Sequence, residues 1–373
     1  MTIASLSIFD RLPMELIILI ALFLCPRDLH TLTCVSRSMA EITCPLYFRE
    51  RNFAPQKSQY CISVTGDAFS ALPVWRRSLC FVPKPILSCT FDGASVDAQI
   101  RCLRTMISTL PPKSAFDEIN LWGDTSLDKL WDLLEVIDRA GFRTVDIDSW
   151  RVFHIYQDVG TYSKLVALEN LRLNYAFLSP SVWASILSRL VIPNLRKLHI
   201  VGDVSWSSLT DFLQRHPRIR EVQLRMPSGA PIPNLRTHKP TLSLPMLEVI
   251  SGSLDHVFAL LRILPSPPHL RTLSIEAVTN LPYRTFVDNV MRCLALCEGM
   301  FRLDIGFCPS KCQSRLISSI NRHAISIRRL QSTTVRARIC SLRIRVQNIS
   351  DENILVSHSP LKQALTNVRP GLL

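Results

Sequence analysis

A short apolar pattern recurs along most of this chain and limits the folds open to it. The pattern apolar-x-x-apolar-x-apolar is written by Phe116, Ile119 and Leu121, then by Phe142, Val145 and Ile147, and again by Leu168, Leu171 and Leu173. It continues as Leu195, Leu198, Ile200; Ile219, Val222, Leu224; Leu270, Leu273, Ile275; Met300, Leu303, Ile305; and Ile339, Leu342, Ile344. A damaged copy at Leu247 and Ile250 carries Gly252 in the third place. Counting that copy, successive third positions stand 26, 26, 27, 24, 28, 23, 30 and 39 residues apart. Within each copy the last two apolar positions are separated by one residue, the period of a half-buried strand.

Helical patterns such as SLDKLWDLLEVIDRAG, SLTDFLQRHP, SLDHVFALLRILP and YRTFVDNVMRCLALC lie between the copies. One strand and one helix per repeat cannot bury their apolar faces alone, so each unit has to stack on the next. This predicts an α/β solenoid of short parallel strands alternating with helices over residues 116–350. A doubly wound α/β domain uses the same alternation. Against it, no glycine-rich phosphate loop follows any strand, and the strand motif is uniform in form.

Side chains alternate along a strand, so the residues between the apolar positions share one face of the sheet. One column runs Asn120, Asp146, Arg172, His199, Gln223, Ser251, Ser274, Asp304, Arg343, and the next runs Trp122, Asp148, Asn174, Val201, Arg225, Ser253, Glu276, Gly306, Arg345. The columns are polar and of mixed charge, which suits recognition of a protein. Trp122, Asp146, Arg172, His199, Gln223, Arg225, Arg343 and Arg345 are the candidate substrate-binding residues.

The repeats resemble those of the leucine-rich-repeat family over roughly two thirds of the chain. That family places Asn or Cys three residues after the last strand leucine. Here only Cys308 fits, while Asp124, Ala176, Asp203, Pro227 and Val278 hold the other slots. The resemblance therefore implies an irregular solenoid.

Upstream, residues 9–53 read as three short helices. Pro13 pre-sets a first turn, Glu15 lies where the positive helix end favours it, and Leu16, Ile17, Ile20, Phe23 and Leu24 recur at helical spacing. Pro26 interrupts, Asp28 opens a second helix with Leu29, Leu32 and Val35 on one side, and Pro45 precedes a last segment with Leu46 and Phe48. Three small helices cannot hide so many apolar positions, and the excess implies a partner. An amphipathic helical cap on the next domain would show the same periodicity. The run LIILIALFLC has ten apolar residues, follows Asp10, Arg11 and Glu15, and lacks a basic leader, so neither a membrane span nor a signal peptide is expected.

Leu12, Pro13, Glu15, Leu16, Ile20, Leu24, Asp28, Leu29, Leu32, Val35, Ser36 and Arg37 resemble, in order and spacing, the F-box, which docks substrate receptors onto the Skp-type adaptor of a cullin–RING ubiquitin ligase. The aromatic often found two residues after the arginine is Met39 here, apolar and adaptable enough to fill the slot. As a whole the chain resembles a fungal-type F-box and leucine-rich-repeat substrate receptor. The resemblance implies an F-box over residues 1–53 bound to the Skp-type adaptor and the cullin scaffold. It implies a junction with the first irregular repeats over 54–115, a solenoid over 116–350 that holds a protein substrate, and a cap or tail over 351–373. Within the junction, SLCFVP and LSCTF read as short strands and AQIRCLRTMISTL as a helix.

The composition agrees with such a reading. At 373 residues and 47% hydrophobic the chain can bury a large core. Its 43 Lys and Arg exceed its 30 Asp and Glu, and only nine of the cations are Lys. Arginine favours bidentate recognition of carboxylate or phosphate, so an acidic or phosphorylated protein is a substrate class to consider. From Ile305 to Ser350 there is no Asp or Glu, against Lys311, Arg315, Arg322, Arg328, Arg329, Arg336, Arg338, Arg343 and Arg345. Edge-strand protection accounts for this basic end as well as an acidic ligand does, and nucleic acid fits less well because no aromatics interleave with the arginines. Twelve cysteines, many within apolar runs, suit buried thiols of the reducing cytoplasm or nucleus. Cys293, Cys297, Cys308 and Cys312 are spaced C-x3-C-x10-C-x3-C, without the usual zinc knuckle, and are read as structural. No G-x-S-x-G, H-E-x-x-H or P-loop occurs, and the nine histidines are scattered, so neither catalysis nor a cofactor is expected.

Overall fold

The computed structural model turns every copy of the repeat into a parallel strand, the damaged one included. It describes residues 12–55, 60–78, 86–92, 95–110, 116–123, 127–148, 163–174, 178–225, 242–264, 269–276, 289–290, 292–294, 296–297, 299–307 and 337–346. The chain divides into two units, Met1–Leu168 and Glu169–Leu373.

The first unit starts with three helices, α1 (Met14–Leu22), α2 (Pro26–Thr33) and α3 (Arg37–Glu50). Strand β1 (Cys61–Thr65), α4 (Leu72–Arg77), β2 (Ile86–Phe91), α5 (Val96–Ser108), β3 (Glu118–Gly123), α6 (Leu127–Ala140), β4 (Thr144–Asp148) and the two-residue β5 (Ser163–Lys164) follow. Strands β1 to β4 are parallel and adjacent in chain order, with Val64↔Cys89, Cys89↔Leu121 and Leu121↔Ile147 in register. Their inward side chains pack on Ile100, Leu103, Met106 and Ile107 of α5 and on Leu133, Leu134 and Ile137 of α6, all buried. The helix expected from AQIRCLRTMISTL is α5, and LSCTF lies in β2. Residues 79–85, which hold most of SLCFVP, lie outside the described residues. The array thus starts earlier than the full pattern predicts. In the first-anchor slots of β1 and β2 stand Gln59 and Lys84, so only the second half of the motif survives there.

The second unit contains β6 (Asn170–Asn174), α7 (Pro180–Arg189), the two-residue β7 (Leu190–Val191), β8 (Lys197–Val201), α8 (Trp206–Arg215) and β9 (Glu221–Arg225). It continues with β10 (Val249–Ser253), α9 (Leu254–Ile263), β11 (Thr272–Glu276), β12 (Gly299–Phe307) and β13 (Ala337–Val346). Its parallel strands run in the order β6-β8-β9-β10-β11-β12-β13. The third repeat positions stand in one row, Leu173↔Ile200, Ile200↔Leu224, Leu224↔Gly252, Gly252↔Ile275, Ile275↔Ile305 and Ile305↔Ile344. At β13 the register slips between Phe301 and Arg302, so that Ile339 faces Phe301 rather than Met300. The backbone just before each strand is stitched to its neighbour, Arg196 N–H to Glu169 O at 2.7 Å, Arg220 to Arg196 at 2.7 Å, Glu248 to Arg220 at 2.7 Å and Arg271 to Glu248 at 2.7 Å. Each unit is an α/β stack of the solenoid type, with a parallel sheet on one side and helices on the other.

Gly252 explains the damaged copy. Its φ is 157° and a Cβ there would stand 2.3 Å from the carbonyl oxygen of Leu224, so no larger residue fits while β9 and β10 stay paired.

The N-terminal helices differ in detail from the sequence expectation. Pro13 is the N-cap of α1 rather than its first residue, Leu24 lies past the end of α1, and Val35 lies past the end of α2. Helix α3 starts at Arg37 and runs through Pro45 instead of beginning after it. Pro45 is exposed, and the missing N–H falls on the solvent side of the helix, where water can satisfy the orphaned carbonyl.

Candidate protein-binding surfaces

Two surfaces gather the residues singled out by the sequence. The first is α1. Of its nine residues MELIILIAL only Ile17 and Ala21 are buried. Met14, Leu16, Ile18, Leu19, Ile20 and Leu22 are each at least 39% exposed, and Phe23 at its C-cap is 84% exposed. Val35, between α2 and α3, is also exposed. Apolar surface left in water loses roughly 25 cal/mol for each Å² that could have been buried, so among the described residues α1 carries a contiguous apolar surface of the kind that marks a candidate contact site.

The other motif residues are divided between the packing of the three helices and their surface. Leu29 is buried in α2, and Leu12, Leu24 and Leu32 are half-buried. Ser36 caps α3, its hydroxyl accepting the Met39 N–H at 3.2 Å. Met39, in the place of the expected aromatic, is buried. Asp28 accepts from the Cys25 thiol at 3.1 Å, and Arg37 pairs with Glu41 at 3.5 Å on the surface. The opposite side of α3 meets the repeats through aromatic rings in series. Tyr47 and Phe48 are 6.4 Å apart between centroids, Phe48 and Phe53 5.3 Å, Phe53 and Trp75 5.7 Å, Trp75 and Phe116 6.4 Å, and Phe116 and Phe142 5.8 Å. Tyr47 also donates its hydroxyl hydrogen to Ser70 O at 3.2 Å.

The second surface is the sheet face opposite the helices. In the first unit it carries Asn120, Trp122, Asp146 and Asp148, with Asn120↔Asp146 and Trp122↔Asp148 in register and the Trp122 ring 39% exposed. In the second unit Arg172↔His199 and His199↔Gln223 are adjacent, and Arg225 lies two residues along from Gln223. His199 is half-buried between these arginines. Burial first, then Arg225 and Arg172, depress its pKa to about 4, against a smaller opposing pull from Glu276 and Glu221. It is neutral at pH 7, and its Nε2 is buried without a hydrogen-bond partner among the described residues.

Sequence reasoning placed Glu276 in the right column and missed what it does. Its carboxylate accepts from Arg225 Nε at 3.1 and 3.0 Å and from Nη2 at 2.7 Å, two strands away across β10. Ser251 and Ser253, which β10 presents on this face, are small enough for the side chains to meet over them. Arg343 and Arg345 face Asp304 and Gly306 in the backbone register of the last strand, and their side chains lie outside the described residues. So do Lys311, Arg315, Arg322, Arg328, Arg329 and Arg336.

Cys293 and Cys297 are buried one helical turn apart, the Cys297 thiol donating to Cys293 O at 3.4 Å. Burial pushes both thiols up, Cys297 to about 12, so neither offers a thiolate. Cys308 and Cys312 lie outside the described residues. Among the described residues no cluster of three His, Cys, Asp or Glu could hold a metal ion, and no helix is long and apolar enough to cross a membrane. Compared with protein-family models and with curated proteins, the chain matches none of them.

Proposed function

We propose that this chain is the substrate-recognition subunit of an SCF-type cullin–RING ubiquitin ligase, a non-catalytic receptor working in the cytoplasm or nucleus. In this reading α1 to α3 form an F-box that docks the Skp-type adaptor, and through it the cullin. The repeat sheet holds a protein for ubiquitination. The observation that carries the reading is the apolar exposure of α1 together with Val35. Leu16, Ile20 and Val35, three motif residues with no core to fill, are among its exposed side chains. Among the remaining motif residues Leu29 is buried and Ser36 caps α3, so part of the motif braces the helices while another part is left on the surface.

Co-purification of the chain with adaptor and cullin tests the proposal, compared with a Leu12→Ala, Pro13→Ala double variant. The expected result is capture by the wild type and loss in the variant. A wild-type chain that retains no adaptor overturns it and leaves a repeat scaffold whose N-terminal helices serve as a cap. That second reading draws on the aromatic series from Tyr47 to Phe142, since a cap would pack in this way.

A further inference from the structure

The Arg225–Glu276 pair is an odd way to finish a receptor surface. It spans three strands, it lies on the sheet face rather than in the core, and both side chains are partly open to water, 45% and 30% exposed. Exposed pairs of this kind contribute little net stability, because solvent screens them and two long side chains have to be ordered. Yet the geometry is the bidentate fork by which arginine recognises a planar carboxylate or a phosphate. The fork is already shaped, and a carboxylate of the chain itself occupies it.

The surroundings favour an incoming anion. Among the described side chains on this face of the second unit, Arg172, Lys197, Arg225 and Arg302 outnumber Glu221, Glu276 and Asp304. Lys197 meets Glu221 at 3.0 Å and Arg302 meets Asp304 at 2.8 Å, so those two carboxylates are engaged by their own neighbours. His199 stands beside Arg172 in register, with Nε2 buried and offered to no group among the described residues.

We propose that Arg225 is the anion-reading residue of the receptor surface, that its ligand is an acidic or phosphorylated side chain of the bound protein, and that Glu276 is a built-in competitor which that side chain displaces. The site rests on the reading of the sheet face as a substrate surface, and not on adaptor docking. Ser251 and Ser253 keep the path between the two residues low, so the fork can be approached from solvent without moving the backbone. Glu276 sets a threshold. A single carboxylate competes poorly with Glu276 and binds weakly, whereas a phosphate with its extra charge and third oxygen wins the fork.

The test uses the purified full chain and three fluorescein-labelled degenerate peptide pools, with phosphoserine, glutamate or serine fixed at the centre, read by fluorescence polarisation. The expected order is phosphoserine tightest, then glutamate, with serine at background. Glu276→Gln tightens the phosphoserine pool about three- to tenfold by emptying the fork, and Arg225→Gln weakens it by about tenfold or more. Arg225→Lys, which keeps the charge and loses the fork, falls between wild type and Arg225→Gln. Thermal melts of all three variants check that the fold is kept. A phosphoserine pool that binds no better than serine overturns the site. So does a Glu276→Gln variant that weakens binding as Arg225→Gln does, since the pair is then a structural tie. An oligonucleotide that outcompetes every peptide and is lost in Arg225→Gln overturns the protein ligand. Adaptor capture is measured on the same variants. Capture retained with peptide binding absent removes this site alone, and the converse removes only the ligase reading.

Discussion

The backbone N–H of Ile192 donates to Nε2 of His216 at 2.9 Å, so a buried imidazole joins the end of one repeat to the helix of the next. The other ring nitrogen, Nδ1–H, donates to Phe212 O at 2.6 Å, which fixes the neutral tautomer. Arg215 beside it caps the end of α7, donating to Leu187 O at 2.6 Å, Leu190 O at 3.1 Å and Ser188 O at 3.3 Å.

Burial, more than the nearby Arg215, holds the His216 pKa below its ordinary value, against a smaller upward pull from Phe212 O. Its folded pKa is depressed, so the unfolded chain binds the proton more readily. The stabilisation is therefore complete above about pH 6.5 and fades as pH falls towards the folded pKa. Urea unfolding should show this loss. His216→Leu should flatten part of the acid limb and cost about 1–3 kcal/mol at pH 7.5, because Ile192 keeps a buried N–H with no acceptor.

Leu16→Asp and Ile20→Asp should abolish adaptor capture while leaving thermal stability nearly unchanged, within about 0.5 kcal/mol, since both side chains are exposed. Leu29→Asp is the contrasting case. It buries a charge between helices and should unfold the N-terminal segment, which limited proteolysis would detect.

His199 should titrate near pH 4 by NMR, far below an ordinary histidine. Arg225→Gln should raise that value by removing the larger of its two cationic neighbours, while Glu276→Gln should lower it further. Unchanged titration in both variants would mean that the imidazole does not feel the Arg225–Glu276 pair.

Gly252→Ala should destabilise the second unit by roughly 2–4 kcal/mol, because the new methyl meets Leu224 O and the strand has to move. Leu224→Ala in the same row leaves a cavity and should cost a comparable amount, so the two variants separate overpacking from underpacking. Chemical denaturation measures both.

The strand rows were legible because buried positions tolerate only apolar residues, and each repeat renews the same three slots. From Phe116 onward the register follows the pattern until the slip beside Arg302. What escaped had lost an anchor. With Gln59 and Lys84 in the first slot, β1 is not read as a strand and β2, read as a strand from LSCTF, is not read as a copy of the repeat, although Val64 and Cys89 fill their third positions. The candidate sheet face could be read column by column, since alternation alone decides it. The Arg225–Glu276 contact could not, because two residues 51 apart in sequence meet only when the strand between them carries small side chains. On α1, periodicity offered Ile17 and Ile20 as equals, and only packing against the neighbouring helices assigned one inward and the other outward.

The row of rings from Tyr47 to Phe142 also governs where the chain can be cut. Phe53 and Trp75 are buried against each other, so a fragment starting after residue 53 would open the end of the first repeat and expose the Trp75 indole to water. Removing the N-terminal helices to isolate a receptor domain therefore yields a sticky fragment, and loss of a partner in that fragment reports on solubility as much as on docking. Point substitutions on the outer surface of α1 leave the row intact. The shortest self-sufficient piece of this protein begins with its N-terminal helices, not after them.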